Sequence, residues 1–195
     1  AISKNSLTVI NRLNSAGYDA YLVGGGVRDL LLGLSPKDFD IVTNAHPSEI
    51  RKEFRNCRII GRRFRLAHIL FGREIIEVAT FRANEGEEES KHFQTNRDGF
   101  IIRDNIYGTI DEDALRRDFT INALYYDVRS QSIIGYCDGV SDIKARKIRL
   151  IGDPVERFHE DPVRIIRAIR FEAKLGFTID PKLLRPIAEH AHLLH

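Results

Sequence analysis

Residues Leu22 to Ile41, LVGGGVRDLLLGLSPKDFDI, carry the strongest structural signal in this 195-residue chain. An apolar run leads into a glycine turn and a short helix, and the stretch ends on the aspartates Asp38 and Asp40. Because side chains alternate along a strand, both aspartates are expected on one face and Phe39 on the other. Residues two apart in a strand lie about 7 Å apart, close enough for their carboxylates to share hard cations. The stretch therefore predicts nucleotide chemistry.

The glycines Gly24 to Gly26 follow a predicted strand and open a predicted helix. Backbone N–H groups and the helix dipole at such a turn can cradle a triphosphate. A plain tight turn has the same pattern. Arg28, one turn into the helix, either contacts a phosphate or sugar or forms a surface salt bridge.

Other acidic residues are candidates to complete a metal site with the Asp38–Asp40 pair. An Asp-x-Asp pair alone is more typical of an edge strand that faces solvent, but the glycine turn with Arg28 and Asp29 just upstream favours the metal site. Glu77 lies in the otherwise apolar run IIEVATFR, where a charged group needs a partner or an ion. Asp118 of RRDFTINAL supports the metal site, orients an arginine or caps the next helix. Its neighbour Arg117 is placed to present a guanidinium to phosphates.

The segment EDPVRIIRAIRF, residues 160–171, predicts a helix with a polar stripe. At 100° per residue, Asp161, Arg164 and Arg167 fall within about 120° of arc, and Arg170 continues the stripe. A carboxylate and guanidinium groups on one face can read a base edge and hold phosphates. The alternatives are a solvated basic stripe and an N-cap role for Asp161 before Pro162.

A second basic stretch, residues 54–65, interleaves five arginines with Phe54 and Phe64. Such a mixture suits contacts with a single nucleic-acid strand, although a solvated rim has the same composition. His68, on an apolar strand, is expected to be structural. Cys57 and Cys137 match no metal spacing and indicate inert thiols in a reducing compartment.

Composition is ordinary for a globular protein, with 43% hydrophobic and 30% charged residues and a net charge of +2. No apolar run approaches the roughly 18 residues that span a bilayer, and we see no signal-peptide pattern, so a cytoplasmic protein is expected. The sequence contains no methionine, which predicts that it is not an intact primary translation product.

The order of predicted elements indicates a mixed α/β head at residues 1–152 and the start of a helical neck at 153–195. The predicted helices are 5–16, 27–32, 47–54, 112–123, 162–175 and one from 181. The predicted strands are 18–23, 38–43, 57–61, 66–71, 74–81, 124–128, 133–136 and 147–150. The acidic stretch 83–98 is predicted to be a surface loop.

Taken together, LVGGGVRDLLLG, KDFDI, EVATFR, RRDFTINAL and EDPVRIIRAIRF resemble the class II nucleotidyltransferases of the polymerase β superfamily, which include bacterial poly(A) polymerases and CCA-adding tRNA nucleotidyltransferases. The resemblance implies an α+β nucleotidyltransferase head with a mixed sheet and flanking helices, followed by a truncated all-helical neck. It implies metal binding by Asp38 and Asp40, with Asp118 associated with the active site. The residues implied in nucleotide binding are Gly24, Gly25, Arg28, Arg117, Asp161, Arg164, Arg167 and Arg170.

The expected function is template-independent addition of AMP from ATP to RNA 3′ ends, with two Mg²⁺ ions and either Glu77 or Asp118 assisting. The stretch 54–82 resembles bacterial poly(A) polymerases more than CCA-adding enzymes, which favours the former. A catalytically silent module that binds RNA or nucleotides is the alternative from another class. The resemblance also implies that further helical domains, absent from this sequence, supply most RNA contacts.

Overall fold

The computed structural model describes residues 2–36, 38–83, 93–95, 101–103 and 107–194. The α-helices are α1 (Lys4–Ser15), α2 (Gly25–Leu31), α3 (Pro47–Glu53), α4 (Ile110–Leu115), α5 (Gly139–Ala145), α6 (Pro154–Glu160), α7 (Val163–Leu175) and α8 (Pro181–His190). The strands are β1 (Ala20–Val23), β2 (Asp40–Thr43), β3 (Cys57–Ile60), β4 (Leu66–Phe71), β5 (Glu74–Thr80), β6 (Phe93–Thr95), β7 (Ile101–Arg103), β8 (Leu124–Asp127), β9 (Ser132–Gly135), β10 (Lys147–Ile148) and β11 (Thr178–Ile179). Short 3₁₀ helices cover Thr120–Asn122 and Ala191–Leu193.

Seven strands form one mixed sheet in the order β3-β4-β5-β2-β1-β8-β9. Strands β2 and β5 run parallel, and the other neighbours in this sheet run antiparallel. The parallel register places Asp40 directly opposite Glu77. Strand β1 ends beside the start of β2, with Val23 opposite Asp40. The glycine turn that follows β1 is thereby brought to the aspartates.

Alternation along the central strands divides the core into two layers. Leu22 and Ile41 are buried in the larger cluster, against α1, α3 and the helices of the neck. Tyr21 and Val42 are buried on the opposite face with Tyr125. Burial of these apolar side chains is the main force that holds the helices on the sheet. Strand β2 therefore has both faces occupied, which fixes its register and the position of Asp40.

Head and neck are joined by backbone pairing as well as by side chains. Strand β10 of the predicted head pairs in parallel with β11 of the predicted neck. The rings of Phe119 and Phe171 meet edge to face at a centroid distance of 5.4 Å. The all-helical neck expected from the sequence thus contains a short strand. The boundary at residue 152 stays a prediction.

Several elements differ in extent from their predictions, and two of these differences concern site residues. The strand predicted at 38–43 begins at Asp40, so Asp38 precedes it. Phe39 and Ile41 nevertheless pack on the core as the alternation predicts. The helix predicted at 112–123 ends at Leu115, because Phe119 is extended and makes a bridge with Leu150.

Helices α5 and α6 are not among the predicted helices, whereas several other elements agree with their predictions. Helix α5 was not predicted, since glycine at its start and aspartate before it favour a turn. Helix α7 ends as expected at Gly176, which adopts φ +68°. The predicted strands 66–71 and 74–81 form a hairpin at Gly72, with Phe71 opposite Glu74. Most of the predicted acidic loop, residues 84–92 and 96–98, lies outside the described residues.

Among the residues that the structure describes, no helix combines the length and the apolar character that a bilayer span requires.

Gly139 lies where helix α5 packs against the segment that follows Asp118. A Cβ at this position would overlap the carbonyl oxygen of Thr120 and lie 2.7 Å from Leu124 Cδ2. We expect Gly139→Ala to lower the free energy of unfolding by about 1–3 kcal/mol, as overpacking does. In Gly135→Ala the new methyl would lie 3.4 Å from Leu124 Cδ2, an ordinary contact, and should have little effect. Urea denaturation of both variants measures the difference, and equal stabilities would contradict this packing.

Candidate active site

Asp38 and Asp40 border two cavities beside the N-terminal end of strand β2. One, of about 570 Å³, is lined also by Gly25, Gly26 and Arg28. The other, of about 610 Å³, includes Glu74 and Glu77 in its lining. The aspartate pair therefore separates a glycine-lined space from a more acidic one.

The charge around Asp40 is strongly negative. Its side chain opens to the cavities yet is desolvated by the surrounding protein. This desolvation, followed by the charges of Glu77 and Asp38, raises the pKa of Asp40 above its ordinary value, while Arg117 opposes the shift. Glu77 Oε1 also lies 3.4 Å from His68 Nε2. A cation between these carboxylates would relieve their repulsion, so the donor set fits a divalent metal.

The number of protein ligands at this site is small. No three histidine, cysteine or acidic side chains converge on a metal position in the part of the chain that the structure describes. Proteins often bind Mg²⁺ through one or two carboxylates and complete its coordination with water and substrate phosphates. The site fits that arrangement.

The glycine turn lies against the aspartate segment because glycine leaves room for it. A Cβ on Gly26 would lie 3.1 Å from the carbonyl oxygen of Asp38 and 3.2 Å from Phe39 Cδ1. Gly24 adopts φ +83°, and a Cβ there would lie 3.9 Å from Asp40 Oδ2. The N-terminus of α2 thus begins beside the carboxylates, as the sequence predicts for a phosphate-binding turn.

Arg28 is buried, with 4% of its surface exposed, which contradicts the alternative of a salt bridge on the surface. Its guanidinium ion-pairs with Asp29 at 2.9 Å and donates to Asn122 Oδ1 at 2.8 Å. It also lies over the ring of Phe171, 5.3 Å from the centroid. The burial of Arg28 was not visible in the sequence because its partners Asn122 and Phe171 are distant along the chain.

A third cavity, of about 390 Å³, is rich in arginine. Its lining comprises Arg82, Arg116, Arg117, Asp118, Asn122, Arg157, Glu160, Asp161, Arg164 and Arg167. Six of these are arginines and three are acidic, so the cavity suits an anion. It brings the RRD segment together with the polar stripe of α7.

Asp118 is the centre of the ion pairs in this cavity. Its Oδ1 accepts from Arg164 Nε at 2.7 Å, and its Oδ2 lies 2.6 Å from Arg167 NH2. Arg157 NH2 is 3.9 Å from Oδ1. Asp118 thus pairs with arginines of α7, whereas Arg117, the neighbouring arginine that it was expected to orient, is paired with Asp113. It lines neither cavity that the Asp38–Asp40 pair borders.

Asp161 serves two partners at once. Its Oδ1 accepts from the backbone N–H of Val163 at 3.2 Å, and its Oδ2 accepts from Arg167 NH2 at 3.0 Å. Capping and a place in the polar stripe therefore coexist. Arg170, one turn after Arg167, is exposed and borders a separate cavity with Phe171.

The second basic stretch contributes less than its composition predicts. Phe54 is 2% exposed and belongs to the core, so it is unavailable to a nucleic-acid base. Phe64 is covered by the guanidinium of Arg82, whose central carbon lies 3.4 Å from the ring centroid. His68 pairs with Glu77, which agrees with a structural histidine.

Several residues of the site were missed from the sequence. Three such residues each hold a predicted site residue in place. Asp113 accepts from Arg117, Asn122 accepts from Arg28, and the carbonyl oxygen of Arg157 accepts from Arg164. Asn122 follows the RRD segment closely and was the easiest to find. Asp113 sits in an acidic run that looks like a solvated helix start.

A mixed sheet that carries paired carboxylates beside a glycine turn, with an arginine cavity next to it, is the architecture of a nucleotidyltransferase head. The family described as Poly A polymerase head domain matches residues 20–149, and the chain belongs to that family.

Individual relatives fall into two groups. Poly(A) polymerase I of Salmonella typhi is 59% identical over 196 positions, which cover 100% of this chain and 42% of that protein. A CCA-adding enzyme of Lactobacillus helveticus is 40% identical over 97% of this chain and 45% of that protein. The crystal structure of the Bacillus stearothermophilus CCA-adding enzyme in complex with CTP has a TM-score of 0.80 and 35% identity, over 97% of this chain and 43% of that one. The chain thus spans less than half the length of these relatives.

The contacts of Arg28 predict a structural cost for its replacement. Lysine cannot reach Asp29 and Asn122 together, so it leaves a partly buried acceptor unpaired. We expect Arg28→Lys to lower the free energy of unfolding by about 1–3 kcal/mol. Arg170→Lys, on an exposed turn of α7, is the control and should stay within about 0.5 kcal/mol of the parent. Guanidinium denaturation without nucleotide tests both, and an unaffected Arg28→Lys variant would refute the buried contact.

Proposed function

We propose that the chain is the catalytic head and adjoining neck of a template-independent RNA nucleotidyltransferase that adds AMP from ATP to RNA 3′ ends. The observation that carries the proposal is the Asp38–Asp40 pair placed between a glycine turn and an acidic cavity. The higher identity to poly(A) polymerase I than to CCA-adding enzymes supports ATP as the substrate.

In this proposal Asp38 and Asp40 hold two Mg²⁺ ions together with phosphate oxygens and water. Glu77, opposite Asp40 in the parallel register, adds negative charge and is the assisting carboxylate. When bound, the ions lower the pKa of the RNA 3′-hydroxyl and offset the charge on departing pyrophosphate. Asp118 is assigned to the arginines of the neck rather than to metal.

The glycine turn and the arginines take the nucleotide. Gly25 and Gly26, at the start of α2, line the cavity that Asp38 and Asp40 also border, which supports a triphosphate site there. Arg117 and Arg167 line the arginine cavity and add positive charge around the nucleotide. The RNA 3′-hydroxyl would lose its proton to water, its oxygen would bond to the α-phosphorus, and the bond from that phosphorus to the bridging oxygen would break as pyrophosphate leaves.

The neck helix is assigned to the base. Asp161 and Arg164 lie one helical turn apart in the wall of the arginine cavity. Arg164 is held by Asp118 at 2.7 Å and by the carbonyl of Arg157 at 2.7 Å, so its direction is fixed before a nucleotide arrives. A fixed donor and acceptor pair discriminates bases by leaving the wrong one unpaired. Arg170 is assigned a peripheral contact.

The carboxylate pair gives the first test of the proposal. We expect the double variant Asp38→Asn/Asp40→Asn to lose AMP incorporation by at least about a thousand-fold, because both proposed metal ligands lose their charge. Asp19→Asn, an exposed carboxylate paired with Arg129, is the control and should keep full activity. Extension of oligo(A) with radiolabelled ATP and Mg²⁺ measures both. Undiminished extension by the double variant would rule out this mechanism.

Choice of nucleotide separates two functions. A CCA-adding activity is the second candidate, favoured by the TM-score of 0.80 to a CCA-adding enzyme. We expect ATP to be incorporated into oligo(A) at least about ten-fold faster than CTP, as one discriminating contact supplies. A tRNA without its terminal CCA is offered in parallel. CTP incorporation into that tRNA would replace the poly(A) assignment with the CCA assignment.

The same assay addresses the alternative from another class. Binding of ATP with no product, using Mg²⁺ or Mn²⁺, would identify a silent nucleotide-binding module. The intact Asp38–Asp40 pair argues against that outcome.

A further inference from the structure

Asp113 is a fully buried carboxylate beneath the arginine cavity. It lies in the short helix α4, and its side chain has 0% exposure. It does not line the cavity, and none of the assignments above uses it. A buried charge is costly unless it is paired, so the partners of Asp113 indicate its role.

Every partner of Asp113 lies at the cavity or directly beside it. Oδ2 accepts from Arg117 at two atoms, Nε at 3.2 Å and NH2 at 3.0 Å, and from the Tyr125 hydroxyl at 2.6 Å. Oδ1 accepts from Arg116 NH2 at 3.0 Å and from the backbone N–H of Arg82 at 2.9 Å. Tyr125 also accepts from Arg117 Nε at 3.2 Å.

These contacts hold both arginines in one geometry. Burial opposes the charge on Asp113, but the two arginines and the Tyr125 hydroxyl keep the pKa of this carboxyl below its ordinary value. The side chains of Arg116 and Arg117 stay 19% and 20% exposed on the cavity side. One carboxylate neutralises one of the two guanidinium charges, so a net positive charge remains facing the cavity.

The backbone of the same segment is fixed from the neck. Arg157 NH2 donates to the carbonyl oxygens of Arg116 and Arg117 at 3.0 and 2.7 Å. The side chains of Arg116 and Arg117 are thus held by Asp113 of the head, and their carbonyl oxygens are held by Arg157 of the neck. Such restraint lowers the entropy lost when a ligand is bound.

We propose that Asp113 is a positioning residue, which orients Arg117, with Arg116 beside it, toward the phosphates of the bound nucleotide. This inference rests on the proposed function. It predicts that loss of the Asp113 charge weakens nucleotide binding through Arg117, beyond any effect on folding.

The test compares ATP binding in the 195-residue chain and its variants by calorimetry with Mg²⁺. We expect Asp113→Asn to weaken ATP binding about ten-fold, the effect of one displaced charged contact. Asp142→Asn is the matched control: Asp142 is also buried, accepts from Thr120 Oγ1 at 2.5 Å and lies 3.5 Å from Arg149 NH2. It should lose stability and retain ATP affinity.

A double-mutant cycle with Arg117→Ala separates positioning from a general structural effect. If Asp113 acts through Arg117, Asp113→Asn adds less than about two-fold in the Arg117→Ala background. An equal loss in both backgrounds, or unchanged affinity in Asp113→Asn, would overturn the inference.

Thermal melting without ATP shows whether Asp113→Asn folds. If it does not, Tyr125→Phe takes its place, since it removes one of the two acceptors of Arg117 Nε and keeps the buried charge. It should weaken ATP binding at least about two-fold, and only while Arg117 is present; unchanged affinity would overturn the inference. If the parent chain binds no ATP, the proposed function falls and the inference with it. Binding by the parent with no effect of these variants refutes the positioning role alone.

Discussion

The Asp118 carboxylate, shared between Arg164 and Arg167, is the contact on which the arrangement of head and neck depends. It sits between the end of α4 and the 3₁₀ turn in the head, while both arginines belong to α7. Each pair is partly exposed, so each adds only modest stability. Their joint effect is geometric, because one carboxylate with two bonded oxygens fixes the rotation of α7 about its axis. Pairing of β10 with β11 then fixes the position of α7 along its own axis.

Opposite charges are kept in adjacent but separate spaces. One cavity, beside strand β2, is lined by the carboxylates of Asp38, Asp40 and Glu77. The arginines line the other cavity, where the neck meets the head. Arg28 connects the two spaces, because it lines a cavity with Asp38 and Asp40 and is bonded to Asn122 of the arginine cavity. A nucleotide with metal-bound phosphates has the complementary pattern, with cations opposite the carboxylates and phosphate anions opposite the arginines.

The sequence predicted the features that depend on local pattern. Alternation placed Phe39 and Ile41 on the core, and Gly176 marked the end of α7, because both follow from backbone geometry. The site residues missed were those defined by distant partners. Asp113 lies in an acidic run at a helix start, where solvent exposure is the normal outcome, and its burial depends on Tyr125.

The break after Leu115 has the same origin. The residues that follow continue a plausible helical pattern, yet Arg157, contributed by a different helix, takes the carbonyls of Arg116 and Arg117. Ending the helix there turns Asp118 toward α7 and leaves Phe119 extended against Leu150. The geometry proposed to read the base is therefore a property of the joined head and neck. The polar stripe in the sequence of α7 identifies the arginines involved. The direction of their side chains is set by the carboxylate of Asp118, which lies 46 positions before Arg164 in the chain.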